Sequence, residues 1–209
     1  MAYRCEAQGL EAFIQQLAVS YVARGYWFYV TGRIPERKDA RAVDEKLIAK
    51  YALDISKQAR ARRKARGLAN MQYLRHDRFF VLLATLGAHE FRVYEEDSIR
   101  DIRREPIVHG NYSVGFRGGH GSVRIVREEY KRLRAYFEDI ATSRHVELLA
   151  EELNSLPFAA YAPIRRQVLN LRSAINRKRK EAGFDPVPIE AIKLSRRSVR
   201  VFLDVRKAA

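Results

Sequence analysis

The run Phe79-Phe80-Val81-Leu82-Leu83-Ala84 is apolar at every position, so an extended chain here presents hydrophobic side chains on both faces. A strand that is buried on both faces has this composition, and the run is too short for a typical helix. We therefore place residues 79–84 in the middle of a sheet. Residues 26–31 are aromatic or β-branched on both faces, and they predict a second interior strand.

Around these two runs, the hydrophobic pattern of residues 71–126 has a period of two, as in strands. The predicted strands are residues 71–75, 79–85, 91–94, 107–116 and 122–126. Residues 117–121, Arg-Gly-Gly-His-Gly, predict an exposed hairpin loop, because glycine adopts the positive φ angles that such turns require. The charged residues 95–104 predict a loop or a short helix.

Outside this region, apolar residues recur at helical spacing. The sequence predicts a helix over residues 9–24 that ends at Gly25, and one long helix over residues 39–66 that ends at Gly67. After residue 126 the chain is again helical, and its last helix begins at Pro163. A final alternating strand is predicted from Val199, Val201, Leu203 and Val205.

This order of elements predicts an α+β fold with one mainly antiparallel sheet of about five to seven strands, flanking helices and a helical C-terminal half. A ferredoxin-like or RRM arrangement is compatible with it. We assign residues 1–126 to an α+β domain that contains the N-terminal helix and the sheet. Residues 127–209 form a helical region whose last strand returns to the sheet, and a single domain stays open as the alternative.

The charge balance points to a polyanionic partner. The 209 residues include 40 Lys and Arg against 25 Asp and Glu, which gives a formal net charge of +15. Because 47% of the residues are hydrophobic, the chain is not a disordered polybasic tail. Nucleic acid is the commonest polyanion that such a basic folded protein meets.

The remaining composition bears on location. Cys5 is the single cysteine, so an intramolecular disulfide and the usual zinc spacings are excluded, and a reducing cytoplasm is predicted. The N-terminus carries Glu6 and Glu11 without a basic and apolar leader, so no signal peptide is predicted. The longest apolar stretch, near residues 26–30, is far shorter than the ~20 residues of a membrane span, and no membrane partner is expected.

Two windows hold much of the positive charge without a single acid. Residues 57–66 contain six cations and residues 165–180 contain seven. The helix macrodipole accounts for one or two cations per helix end, so the rest indicate a partner that supplies negative charge. The predicted nucleic-acid-binding residues are Lys57, Arg60, Arg62, Arg63, Lys64, Arg66, Arg117, Arg165, Arg166, Arg172, Arg177, Lys178, Arg179, Lys180, Arg196 and Arg197.

Aromatic residues in the strands could stack on bases. Tyr112 and Phe116 share one strand face, and we favour packing in the sheet over stacking for both. Residues 109–116 agree with the ribonucleoprotein motif of RRM proteins at too few positions to identify that family. RNA is slightly preferred over DNA, because the arrangement is based on a sheet and shows no helix-turn-helix.

An enzyme is the alternative, specifically a nuclease or strand-transfer protein. Its candidate catalytic residues are His89, His109 and His120. Mg²⁺ or Mn²⁺ would be a cofactor only in that case, held by His89 and Glu90 with His109 or His120, whereas a binding protein needs no cofactor. Without a metal, His120 beside Arg117 could serve an RNA-cleaving site.

Phosphate-loop, GxSxG and HExxH motifs do not occur in the sequence, so nucleotide hydrolysis, acyl transfer and zinc proteolysis lack their usual signatures. The first hypothesis is therefore a nucleic-acid-binding protein of a ribonucleoprotein or mobile-element system. A third hypothesis is a structural subunit of a larger nucleoprotein complex, whose apolar N-terminal helix docks on a protein partner.

Overall fold

A computed structural model describes residues 3–203 of the chain. Helices and strands alternate in the first half and helices follow in the second, so the predicted α+β class is confirmed. The elements are α1 (Leu10–Gln15), β1 (Phe28–Arg33), α2 (Ala40–Lys50), α3 (Lys57–Ala65), β2 (Met71–His76), β3 (Phe79–Ala84), α4 (Phe91–Tyr94), β4 (Arg100–Asp101), β5 (Ile107–His109), β6 (Tyr112–Arg117), β7 (His120–Ile125), α5 (Arg127–Ile140), α6 (Val146–Ser155) and α7 (Ala162–Glu181).

The chain divides into two compact units. Among the described residues, the N-terminal unit contains 3–109, 114–121 and 199–203, and the C-terminal unit contains 110–113 and 122–198. The hairpin of β6 and β7 contributes its tip to the first unit and its base to the second. The division into residues 1–126 and 127–209 stays a prediction.

The strands form two sheets, so the prediction of a single sheet is wrong. One sheet has the order β2-β3-β1-β4 with antiparallel pairings, and the other has the order β5-β6-β7. The predicted strand 107–116 is split by a tight turn at Gly110, whose φ is 56°, and Asn111. The turn folds β6 back on β5, so the later strands pair with one another in a sheet of their own.

The four-stranded sheet has β3 in its interior, as the apolar run predicts. The chain order in this part is β1, helices α2 and α3, strands β2 and β3, helix α4 and strand β4, and β3 lies between β2 and β1 in the sheet. This order matches the split βαβ arrangement of ferredoxin-like folds. Its second half is reduced, because α4 is one helical turn and β4 has two residues.

Both faces of this sheet are covered. On one face, Tyr51, Leu53 and Phe91 pack on side chains of β2 and β3 in a buried cluster. On the other face, the ring of Phe13 lies edge-on at 5.8 Å from the ring of Phe79. Neither face of this four-stranded sheet is therefore open for the stacking of several bases.

The two aromatic residues of β6 are packed as we favoured. Tyr112 is buried, and Phe116 is half-buried with its ring 5.2 Å from the ring of Trp27. Neither ring is exposed for stacking, so base recognition by these two residues does not follow from the structure.

The N-terminal helical segment has the predicted extent but an irregular form. After α1 it continues as a π-helix over Gln16–Tyr21 and a short 3₁₀ turn over Val22–Arg24, and it ends at Gly25 with φ 91°. Phe13, Ile14 and Leu17 are fully buried. This apolar face is therefore used inside the N-terminal unit and is not exposed for docking, while the third hypothesis, a structural subunit with a protein partner, stays a prediction.

The predicted long helix over residues 39–66 is two helices. Asp39 caps the start of α2, and the chain leaves the helix after Lys50, with Ala52 in the left-handed region at φ 48°. Ser56 then caps α3 by accepting a hydrogen bond from the backbone N–H of Ala59 at 3.1 Å. The break buries Leu53, which lies off the apolar stripe that predicted a continuous helix.

Two other predicted strands differ from the structure. Residues 91–94 form the helical turn α4, in which Phe91 is buried while Val93 and Tyr94 are exposed. The predicted C-terminal strand has no strand pairing over residues 199–203, and its Val205 lies outside the described residues. Val199 instead exchanges two hydrogen bonds with the side-chain amide of Gln15, at 2.7 and 3.0 Å.

The C-terminal unit is helical, as predicted. Leu133 and Phe137 of α5 and Leu171 and Ile175 of α7 are buried, so each helix places one apolar stripe in the core. The side chain of Gln167 accepts from the backbone N–H of Ile125 and donates to its carbonyl, which ties α7 to the end of β7.

Candidate nucleic-acid interface

Helix α3 carries the densest group of unpaired cations. Its sequence from residue 57 to residue 66 has no acid. Within residues 3–203, its four exposed cations take part in no ion pair. We call these four the outer α3 cations: Lys57, Arg62, Lys64 and Arg66.

The other two cations of this segment hold the helix in place. Arg63 donates from Nε and Nη2 to the carbonyl of Ala69, at 3.2 and 2.9 Å. Arg60 reaches the carbonyl of Leu53 at 3.4 Å, and the side chain of Asn70 donates to the carbonyl of Arg60 at 3.0 Å. These contacts fix α3 against the chain that leads into β2, so the outer α3 cations lie on a positioned helix.

Four of the seven cations in the second basic window, residues 165–180, have hydrogen-bond or ion-pair partners inside the C-terminal unit. Arg179 is only 4% exposed, and its guanidinium donates to the carbonyls of Ala141, Arg144 and Asp185. The prediction that Arg179 binds phosphate is therefore wrong, since its donors are already satisfied in the core.

Other cations of α7 also have internal partners. Arg165 donates to the carbonyl of Leu194 at 2.8 Å, and Arg172 donates to that of Val187 at 2.8 Å. Arg177 lies 3.4 Å from a carboxylate oxygen of Glu138. The helix keeps three exposed cations without an ion pair among the described residues, namely Arg166, Lys178 and Lys180.

The remaining predicted binding residues are dispersed. Arg117 is exposed at the tip of the β6–β7 hairpin, in the N-terminal unit. Arg197 is exposed in the C-terminal unit, and the guanidinium of Arg196 lies 4.8 Å from the ring centre of Tyr161. None of the three forms a dense cluster like that of α3.

The three candidate histidines occupy different environments. His120 is exposed at the hairpin tip, and His109 is half-buried, with its ring stacked on that of Phe79 at 4.1 Å. His89 lines a groove beside α3. No three His, Cys, Asp or Glu side chains within residues 3–203 converge to hold a metal ion, so the metal site built from His89, Glu90 and a second histidine is wrong.

His109 has a partner that sequence reasoning missed. Its Nε2 lies 2.9 Å from Nδ1 of His76, a hydrogen-bond distance. Burial and the neighbouring His76 lower the pKa of His109 to about 4, so it is neutral at pH 7. A half-buried neutral ring that already has a partner is poorly placed for acid or base chemistry on a substrate.

The groove beside α3, which we call the His89 groove, has a volume of about 570 Å³. It lies between the end of α2, helix α3 and the chain that enters α4, all in the N-terminal unit. Its lining residues are Lys50, Tyr51, Ala52, Arg63, Leu68, Ala88, His89, Glu90 and Val93.

A tight backbone crossing positions His89. Gly87 has φ 125°, and a Cβ atom at this position would lie 2.5 Å from the carbonyl oxygen of Gly67, so only glycine fits. The adjacent Ala88 carbonyl accepts from the N–H of Ala69 at 3.0 Å, and Arg92 donates to the Gly87 carbonyl at 2.9 Å. The groove wall is therefore tied to the segment between α3 and β2.

The hydrogen bonds of His89 define which ring nitrogen is available. Its Nδ1 accepts from the backbone N–H of Phe91 at 3.0 Å. Burial and the positive charge of Arg63 hold the pKa of His89 below its usual value, so the ring is neutral at pH 7. The neutral ring then carries its proton on Nε2, which makes this nitrogen a hydrogen-bond donor.

Lys50 supplies a second cation to the groove. Its Nζ lies 3.3 Å from a carboxylate oxygen of Glu95, 4.8 Å from the ring centre of Tyr51 and 5.0 Å from that of Tyr94. Tyr51 donates to the same carboxylate of Glu95. Sequence reasoning missed Lys50 and Tyr51, because it placed both inside a continuous helix.

A second polar cluster in the N-terminal unit is structural. Asp44 accepts hydrogen bonds from the Arg75 guanidinium at 2.9 and 3.1 Å and from the Tyr73 hydroxyl at 2.5 Å, and all three residues are buried. Burial raises the pKa of the nearby Cys5 thiol to about 12, so this thiol is not a nucleophile at neutral pH.

No helix within the described part of the chain is both long and apolar enough to cross a membrane. Comparison of the sequence with protein-family models and with curated proteins, and of the structure with solved structures, found no match.

Proposed function

We propose that this protein binds nucleic acid and that helix α3 is the principal contact with the phosphate backbone. The observation that carries the proposal is the group of outer α3 cations, which have no counter-charge within residues 3–203. Adjacent like charges repel each other, and a phosphate backbone relieves this repulsion and releases its condensed counterions. The dispersed cations of α7 contribute less in this account.

We propose RNA rather than DNA as the partner, and binding measurements with both nucleic acids test this preference. Proteins that recognise RNA sequence mostly bind unpaired bases in loops and ends, and a concave groove lies next to α3. A cytoplasmic location, and membership of a ribonucleoprotein or mobile-element system, stay predictions.

The geometry of His89 is unfavourable for this residue as the general base of the nuclease alternative. A general base needs a nitrogen that is free to accept a proton, but Nδ1 already accepts from the backbone of Phe91. The ring is thus arranged to donate a hydrogen bond to a ligand. Incubation of labelled RNA with the protein and Mg²⁺ or Mn²⁺ should leave the RNA intact, and cleavage that is lost in His89→Ala would restore the nuclease alternative.

Charge reversal on α3 tests the proposal. The double variant Arg62→Glu, Arg66→Glu should weaken RNA binding about tenfold or more, measured by fluorescence anisotropy. The matched control is Arg127→Glu, Lys131→Glu on the exposed face of α5, which makes the same change in net charge. Retained affinity in the α3 variant, or an equal loss in the control, would contradict a role for α3.

A further inference from the structure

The His89 groove combines two kinds of surface that a nucleotide requires. Arg63 and Lys50 bring positive charge to its wall, and His89 offers an N–H donor. Leu68 and Val93 supply apolar surface to the same groove, and Val93 is 74% exposed. In proteins, cationic and N–H groups of this kind bind phosphate, and apolar side chains pack on the face of a base.

The groove also has a suitable size and a rigid frame. Pockets for small organic molecules have volumes of about 300–1,000 Å³, and the groove falls within that range. Arg63 is fixed by its two hydrogen bonds to the Ala69 carbonyl, which use Nε and Nη2. Its Nη1 donates to no partner among the described residues, so this nitrogen remains available to a phosphate oxygen.

The groove is continuous with the proposed backbone contact. Arg63 lines the groove and belongs to the same helix as the outer α3 cations. A nucleic-acid strand that runs along α3 therefore reaches the groove while it stays in contact with the helix. Tyr94, which is 56% exposed, lies at the rim with Lys50 above its ring, and it offers a further aromatic face.

One carboxylate in the groove sets a limit on its ligand. Glu90 lines the wall, and Glu95 already pairs with Lys50. Glu90 repels a terminal phosphate, which carries about two negative charges, more strongly than an internal phosphodiester, which carries one. The occupant that fits is thus one nucleotide within a chain.

We propose that the His89 groove holds one unpaired nucleotide of a single-stranded nucleic acid, with its phosphodiester at Arg63 and His89 and its base against Leu68 and Val93. This inference rests on the proposed function, because α3 supplies the neighbouring phosphate contacts. A base-paired duplex cannot insert a base into the groove without opening. The protein should therefore prefer single strands over duplexes of the same length.

The experiment compares three fluorescent ligands of equal length: a single strand, the same single strand with every base removed, and a duplex. Wild-type protein should bind the intact single strand at least about fivefold more tightly than the abasic strand, since one stacked base contributes this much. His89→Ala and Val93→Glu should reduce this preference, and His120→Ala, an exposed histidine at the hairpin tip, should keep it. RNA and DNA versions show which sugar is preferred.

A second measurement needs no variant. A single strand that contains one photoreactive 4-thiouridine should crosslink to peptides that contain residues 50–52, Leu68 or residues 88–94, mapped by mass spectrometry. Equal affinity for intact and abasic strands, or crosslinks only outside these peptides, would overturn the inference while α3 binding stands. No affinity for any of the three ligands would overturn the proposed function together with the inference.

Discussion

Acid should destabilise the N-terminal unit through the ring of His109. This ring stacks on Phe79 and hydrogen-bonds His76, while Asp77 and Arg33 are the other charged groups that act on it. Its pKa is about 4 in the folded protein and about 6.5 in an unfolded chain. The unfolded state therefore binds the proton more readily, so stability is full above pH 6.5 and falls as the pH drops towards 4.

The size of the effect follows from the two pKa values. Linkage over the range from about pH 7.5 to about pH 5 gives a loss of about 2 kcal/mol. Because the ring is only half-buried, solvent screening reduces our expectation to about 1 kcal/mol. Carboxylates also titrate at the acidic end of this range, so a variant is needed to isolate the contribution of His109.

The variant His109→Phe keeps an aromatic ring against Phe79 and removes the titrating group. Urea unfolding at the two pH values should show that its loss of stability is smaller than that of the wild type by about 1 kcal/mol. His120→Ala, which changes an exposed histidine, should behave as the wild type does. Direct NMR titration that places the pKa of His109 near 6.5, or an identical pH dependence in His109→Phe, would refute the reasoning.

Four further outcomes are expected. Asp44→Ala should lower the free energy of unfolding by about 3–5 kcal/mol in urea, because it leaves the buried charge of Arg75 unpaired. Arg179→Met should lower it by about 2–3 kcal/mol while RNA affinity is retained, since the side chain satisfies carbonyls in the core. Ala52→Gly should raise it by about 0.5–1 kcal/mol, because glycine relieves the left-handed backbone at this position. Glu90→Gln should strengthen RNA binding about twofold in anisotropy, by removing a carboxylate from the groove.

The interior of the four-stranded sheet could be predicted because its signal is local. Residues 79–84 are apolar at each position, and such a run is stable only where both faces are covered. The helix break after Lys50 could not be predicted from the stripe that includes Tyr51 and Ile55, since that stripe persists across the break. Ser56, a good N-cap three residues before Ala59, was the available local signal.

The sequence contains a local signal for the division of the predicted strand 107–116. Gly110-Asn111 is a typical two-residue hairpin turn, and its recognition would have divided the predicted strand 107–116. The pairing of β5, β6 and β7 with one another, by contrast, is a tertiary result. No periodicity in the sequence distinguishes one sheet of seven strands from sheets of four and three.

The positive charge of the candidate site could be predicted, but its orientation could not. Lys178 and Arg179 are neighbours in the same basic run, yet the first is exposed and the second is buried among carbonyls. This difference depends on how α7 is rotated against the core, which charge counting does not reveal. The pair of His76 and His109 likewise depends on the tertiary approach of β2 and β5, both in the N-terminal unit.

The central claim is that the outer α3 cations bind phosphates, and the salt dependence of RNA affinity tests it most directly. The variant is the quadruple change of Lys57, Arg62, Lys64 and Arg66 to Gln, which removes charge from exposed positions. A plot of log affinity against log salt should lose about 0.7 of slope for each phosphate contact removed, or about 3 in total. If the quadruple variant shows the same slope as the wild-type protein, the claim is contradicted.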